Sequence, residues 1–245
     1  MKYFFYIVLL SGLTACNGRH SGAQAPGSGS QPELVSDSLH HYDTLDISGK
    51  QIVFSPLEQP AFEKLANQGL EADGPNDDAP LLIRDAAFIA KKDSVLTIKC
   101  ANGIKVKLTE HTTCDGDNYI DYTYGGKLGQ TPFLVFKVGY YEKLDYLLVN
   151  LNSGKQNKVW GTPDLSPDAT TLVCSSFDLD VGFLPNGIQV FSTSADSLHL
   201  LWEQEFEKWG PEEVKWFDNQ TIFIRQSTPV TGKGEILSYA KVKLN

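Results

Sequence analysis

Positive charge is scarce in this 245-residue chain: 21 Lys and Arg stand against 30 Asp and Glu, a formal net charge of −9. An acidic surface repels phosphate backbones, and no basic stripe with interleaved aromatics offsets it, so nucleic acid is not an expected partner. Long apolar runs are missing as well. The longest, residues 3–13, is too short to cross a bilayer as a mature helix. Catalytic signatures are absent in turn: no G-x-S-x-G elbow, no H-E-x-x-H pair, no glycine loop placed to cradle phosphate ahead of a helix. With them go the activities those motifs carry. No cofactor is expected, and the chain is read as non-enzymatic.

What is present begins at the first residues. Met1-Lys2 is a short basic start, and the apolar stretch after it ends in Leu13-Thr14-Ala15-Cys16. That ending resembles a bacterial lipobox, in which a leucine and a small residue precede the cysteine that becomes the new N-terminus. The resemblance implies that residues 1–15 are a lipoprotein signal peptide and that Cys16 carries diacylglycerol and an acyl chain. Several acyl chains on one residue exceed what stable membrane anchoring needs. Asn17 is not the aspartate associated with inner-membrane retention in enteric bacteria, so the expected location is the outer membrane of the cell envelope. Residues 16–39 are rich in Gly, Ser, Pro and Gln and too poor in apolar residues to fold. They read as a flexible tether reaching about 25 Å. Loss of residues 1–15 removes only Lys2 among the charges, leaving 20 basic and 30 acidic residues, or −10.

Residues 40–245 are enough for one all-β domain. Residues 40–46 and 51–54 flank Ser48-Gly49 as an opening hairpin. One short helix is expected at 60–68, where Pro60 suits a first turn, Phe62 and Leu65 share a face, and Gly69 is a stop. Residues 71–80, EADGPNDDAP, read as an acidic, turn-forming loop. Strands are then expected at 81–89, 94–100 and 104–108, the last two joined by Asn102-Gly103, with Lys105 and Lys107 pointing outward. Further strands fall at 119–124, 133–141, 144–151 and 236–244. Runs such as PFLVFKV and DYLLVNL suit strands with at least one buried face. Strand follows strand without a helical crossover, so the sheets are expected to be antiparallel.

A repeat organises the second half. Trp160-Gly161 and Trp209-Gly210 are each followed by a proline (Pro163, Pro211) and a turn with an aspartate (Asp168, Asp218). Each copy closes with a threonine-led apolar strand, Thr171-Leu172-Val173-Cys174 and Thr221-Ile222-Phe223-Ile224. The period of roughly 40 to 50 residues is that of four-stranded propeller blades. The Ser166-Pro167-Asp168 turn, the Leu147-Leu148-Val149-Asn150 strand with Ser153-Gly154, and the segment from Trp209-Gly210-Pro211 to Trp216 resemble blades of periplasmic propeller-type repeat proteins. They are similar to segments of envelope lipoproteins. The likeness covers residues 144–226 and lacks the Gly-His and Trp-Asp pairs of tryptophan–aspartate propellers. It implies a β-propeller-like array serving as a binding scaffold, with a β-sandwich as the alternative, and it brings no catalytic residues.

Several residue sets invite a chemical reading. Cys100 and Cys114 flank a hairpin and form the expected disulfide of an oxidising periplasm, worth about 3 kcal/mol for a loop of about 15 residues. Cys174 lies in an apolar run and reads as a buried, inert thiol. His111, Cys114, Asp115, Asp117 and Asn118 are the densest group of potential ligands, with Asp115, Asp117 and Asn118 the calcium candidates. A polar turn built from Asp-Gly-Asp-Asn, with Cys114 taken up by the disulfide, is the preferred reading, no metal is expected, and no second Cys/His pair supports zinc. Asp178 and Asp180 in SSFDLDVGF would lie roughly 6 to 7 Å apart on one face of a strand, a spacing compatible with glycoside hydrolysis but common in solvated loops. Trp160, Trp202, Trp209 and Trp216, with Tyr140 and Tyr141, either pack between sheets or form a sugar-stacking surface.

The expected protein is a lipid-anchored binding or scaffolding module of the cell envelope whose partners are the membrane and another envelope protein. Alternatives are a glycan-binding or glycan-hydrolysing protein and an envelope-tethered enzyme inhibitor.

Overall fold

A computed structural model describes residues 44–47, 49–66, 78–113, 116–179, 181–230 and 234–244. The chain divides into Met1–Ser36 and Asp37–Asn245, and every described residue belongs to the second unit. Residues 1–39, where a signal peptide, a lipidated Cys16 and a tether are expected, therefore lie outside the described residues.

The described chain is all-β and antiparallel, in four small sheets. Sheet I holds β3 (Ile89–Lys92), β4 (Val95–Lys99) and β5 (Lys105–Thr109). Sheet II holds β6 (Asp121–Lys127), β7 (Phe133–Gly139), β8 (Leu144–Asn150) and β9 (Gln156–Val159). Sheet III holds β10 (Thr162–Leu165), β11 (Thr171–Ser176), β12 (Gly187–Thr193) and β13 (Leu198–Glu205). In sheet IV, β14 (Gly210–Trp216), β15 (Thr221–Val230) and β16 (Gly234–Lys243) are joined by the N-terminal hairpin of β1 (Thr44–Ile47) and β2 (Lys50–Pro56). Val242 pairs with Phe54 and Ala240 with Pro56, so the first and last strands share one sheet.

Hydrophobic patterning decides where each sheet sits. Phe133 to Phe136 on β7 are all 1% exposed or less. Leu134 and Phe136 enter a core shared with sheet I, while Phe133 and Val135 enter one shared with sheet III. A strand buried on both faces must be apolar throughout, which is why PFLVFKV does not alternate. Sheet I strands do alternate: Leu96 and Ile98 are buried, and their neighbours Thr97 and Lys99 face the other way. A third core, containing Val173, Ile188, Trp202, Trp216, Ile222 and Val242, joins sheets III and IV. Full burial of a side chain of this size contributes about 2–3 kcal/mol. Among the described residues no core cluster joins sheet I to sheet IV.

The two sequence copies occupy equivalent places. The turns carrying Asp168 and Asp218 each join an edge strand, β10 or β14, to the next strand in, and the threonine-led runs are β11 and β15. Turns also stitch neighbouring sheets at one rim. Asn102 Nδ2 donates to the Ser153 carbonyl (3.1 Å), and Asn152 Nδ2 donates to the Ala195 carbonyl (2.9 Å).

Two expectations need correction. Residues 81–89 are not a strand. Ala79–Arg84 forms a helix, α2, with Pro80 in its first turn, and β3 begins only at Ile89. The run LLI fits either structure by periodicity, and tertiary contacts select the helix. Asp85 accepts from Arg84 Nη2 (2.6 Å) and from the Tyr124 hydroxyl (2.8 Å) on β6. The Arg84 guanidinium beside it holds its carboxyl below the ordinary value, against a smaller effect of burial. The helix expected at 60–68 is shorter: α1 spans Gln59–Glu63. Phe62 is its buried anchor, 1% exposed, against Tyr239 on the outer face of sheet IV. Residues 67–77, most of the acidic loop, lie outside the described residues.

Candidate functional site

Sheets II and III share a core, and their second-to-third strand connections, residues 140–143 and 177–186, meet at one rim. Tyr140, Tyr141, Glu142 and Lys143 line a shallow cavity of about 210 Å³ together with Phe183.

The shorter loop is held from beneath. The Gly139 amide donates to Asp121 Oδ1 (3.1 Å), and the Tyr119 hydroxyl donates to Asp121 Oδ2 (2.7 Å). A side chain at position 139 would collide with the Asp121 carboxylate. Lys158 Nζ donates to the Tyr140 hydroxyl (3.0 Å), which raises the lysine's pKa. Lys143 Nζ also sits 4.8 Å from the centre of the Tyr140 ring. Tyr140 is thus fixed between two cations, and Tyr141 beside it is left 64% exposed.

The longer loop is organised by two polar side chains. Asp178 accepts from the amides of Leu184 (2.7 Å), Gly182 (2.9 Å) and Val181 (3.1 Å). Burial pushes its pKa up, but these N–H donors outweigh burial and hold it below the ordinary value. Asn186 is buried, donates to the Phe206 carbonyl (2.5 Å) and the Trp209 carbonyl (2.9 Å), and accepts from the Asp178 amide (3.2 Å). Phe177 packs where any side chain at Gly210 would go. With the backbone secured, Val181 is 63% and Phe183 50% exposed. Large apolar side chains on a pinned loop form a surface suited to a partner.

The opposite end of β11 borders a larger cleft of about 470 Å³, between Asp168, Thr170 and Thr171 of sheet III and the Asp218–Gln220 turn of sheet IV. Its polar groups are engaged with one another. Asp168 Oδ1 accepts from the Ser166 hydroxyl (2.7 Å) and from the amide of Thr170 (3.1 Å), and Asn219 Oδ1 accepts from the Asp168 amide (3.1 Å). These contacts join two repeat turns and leave no convergent donor set for a ligand.

The residues singled out by sequence are scattered. Trp202, Trp209 and Trp216 are 3%, 6% and 2% exposed in the core between sheets III and IV, the packing alternative rather than the sugar-stacking one. Their size makes them inter-sheet filler: Trp209 stacks on Phe206 at 3.9 Å, and Trp216 Nε1 donates to the Asp164 carbonyl (3.2 Å). Trp160 is half-buried. Asp178 organises a loop, and Asp180 lies outside the described residues, so no carboxylate pair is on view. Cys100 is a buried free thiol whose expected partner, Cys114, also lies outside them. Cys174 is fully buried, and burial pushes its thiol well up. Of the calcium candidates, Asp115 and the side chain of Asp117 are outside the described residues, and Asn118 is exposed on a single 3-10 turn, Gly116–Asn118. Among the described residues no three His, Cys, Asp or Glu side chains gather as a metal site. Phe177, Val181 and Phe183 were not singled out. Their signal was apolar residues spaced through a segment with Asp178 at one end and Pro185-Asn186-Gly187 at the other.

No family model, curated protein or solved structure matches this chain.

Proposed function

We propose that this chain is a lipid-anchored binding module of the cell envelope that engages a protein partner through the aromatic rim of residues 140–143 and 177–186. The observation that carries the reading is the pairing of exposed Tyr141, Val181 and Phe183 with a backbone fixed by Asp121, Asp178 and Asn186. A surface ordered in advance binds without the cost of freezing its loops. The four sheets, with an N-terminal hairpin completing the last one, are read as a propeller-like array in which each sheet is a blade. The lipobox-like residues 13–16 support attachment at Cys16 and an outer-membrane location.

A photo-crosslinking residue at position 141 or 183 of the full chain in its native envelope tests the rim, with position 220 on the opposite rim as control. Crosslinks from 141 and 183 to one envelope protein, absent from 220, are expected. A Tyr141→Ser, Phe183→Ser double variant should weaken that complex by about tenfold or more while leaving thermal stability within about 0.5 kcal/mol. Equal crosslinking from both rims overturns the reading, and displacement of the crosslink by a soluble saccharide replaces it with the glycan-binding one. Loss of palmitate labelling in Cys16→Ser checks the anchor separately.

A further inference from the structure

We propose that the outer face of sheet I lies against an anionic lipid surface. Alternation along its strands sends Ile89, Leu96, Ile98, Val106 and Leu108 into the core shared with sheet II. The register then gathers the other positions on one face, with Lys99 directly opposite Lys105, Lys107 opposite Thr97, and Lys92 opposite Val95. Strand spacing and rise place these four lysines within a patch of roughly 13 by 10 Å. All four are exposed. Among the described residues none of them forms a salt bridge or side-chain hydrogen bond, whereas Lys91, pointing the other way, pairs with Glu110 at 2.7 Å.

Three features single this face out. Residues 86–109 hold five lysines and one acidic residue, Asp93, within a chain of net charge −9. Like charges directly across a strand pair destabilise the sheet, and among the described residues no carboxylate forms a salt bridge with Lys99 or Lys105. The outer face of sheet IV, by contrast, is covered by α1, and its Arg225 is paired with Glu212 and Glu213. The other outward positions in the register are Ala90, Val95, Thr97 and Thr109, and a flat face of ammonium groups among such small side chains fits a continuous plane of phosphates better than a small ligand or an unstacked base. The net negative charge of the chain is repelled by that plane, and the lysine face is a part the plane attracts. The lipid-anchored reading supplies what brings the chain to a membrane, and the charge argument stands apart from it.

The test floats the full chain with vesicles of phosphatidylcholine, with or without phosphatidylglycerol, and maps lysine acetylation by mass spectrometry. With phosphatidylglycerol, labelling of Lys92, Lys99, Lys105 and Lys107 should fall about fivefold, while Lys155 and Lys208 are unchanged. High salt should restore it. In a Lys99→Glu, Lys105→Glu variant with unaltered circular dichroism, Lys92 and Lys107 should lose that protection. Equal labelling on both kinds of vesicle overturns the proposal, as does protection by an acidic peptide or nucleic acid but not by phosphatidylglycerol. A chain that fails to float with phosphatidylcholine alone refutes the anchor, and the labelling with phosphatidylglycerol still decides the lysine face.

Discussion

The two ends of β11 use the same hydrogen-bonding device for opposite purposes. At one end Asp168 gathers the Ser166 hydroxyl and the Thr170 amide, and the turn packs against its counterpart at Asn219. At the other, Asp178 gathers three amides of its own loop, and that loop turns Val181 and Phe183 outward. An aspartate accepting local N–H groups is a turn-former in both places. What differs is the residues between the ends of the turn: Pro, Ala and Thr in one, Val, Phe and Leu in the other. A shared motif marks scaffold, and the odd apolar insertion marks the surface that does something else.

The largest effect expected lies on β10, the strand entering the turn rim. Burial raises the pKa of Asp164 from the ordinary 3.8 to about 7, with only the Leu165 amide opposing it. Between those values the folded chain keeps a proton that the unfolded chain has released. Stability should therefore fall as pH rises from about 4 to 7, by on the order of 4 kcal/mol at most. Asp164→Asn should flatten that slope in thermal melts and exceed the parent in Tm at pH 8 but not at pH 4. An unchanged slope would place the titration elsewhere. Next comes Asn186→Ala, which strips donors from two carbonyls and should cost about 3 kcal/mol. It should also free the loop at the aromatic rim, visible as faster amide exchange at Val181, Gly182 and Leu184. The smallest is Ser166→Ala at the turn rim. Ser166 is 3% exposed and its hydroxyl also accepts the Thr171 amide at 3.0 Å, so a loss of about 1 kcal/mol is expected. Exchange at the aromatic rim should stay as it was. If Ser166→Ala loosened residues 181–184, the two rims would not be independent.

Much of the sheet was readable because period-two alternation and the Asn102-Gly103 turn are local signals. Lys105 and Lys107 were legible as outward residues for the same reason. Their company was not: Lys99 meets Lys105 across a register that linear sequence leaves unstated, so a search for basic runs finds nothing where the sheet builds a basic face. LLI at 81–83 failed because a three-residue apolar run fits helix and strand alike, and the Asp85–Tyr124 contact spans 39 residues. The tryptophans could be named but not placed: large aromatics more often pack between sheets than line a ligand surface, and only the tertiary contacts show which of them do.

Sequence by itself determined the class of this protein: antiparallel strands, a repeat of turn and strand, an acidic charge and a lipobox-like start. Those follow from nearest-neighbour chemistry, which turn residues and alternating polarity write directly into the chain. Tertiary structure alone decided which strands are buried on both faces, which tryptophans disappear, which loops meet at a rim and which lysines become neighbours. Each of these depends on contacts between residues far apart in sequence, where packing and register, rather than local preference, set the free energy.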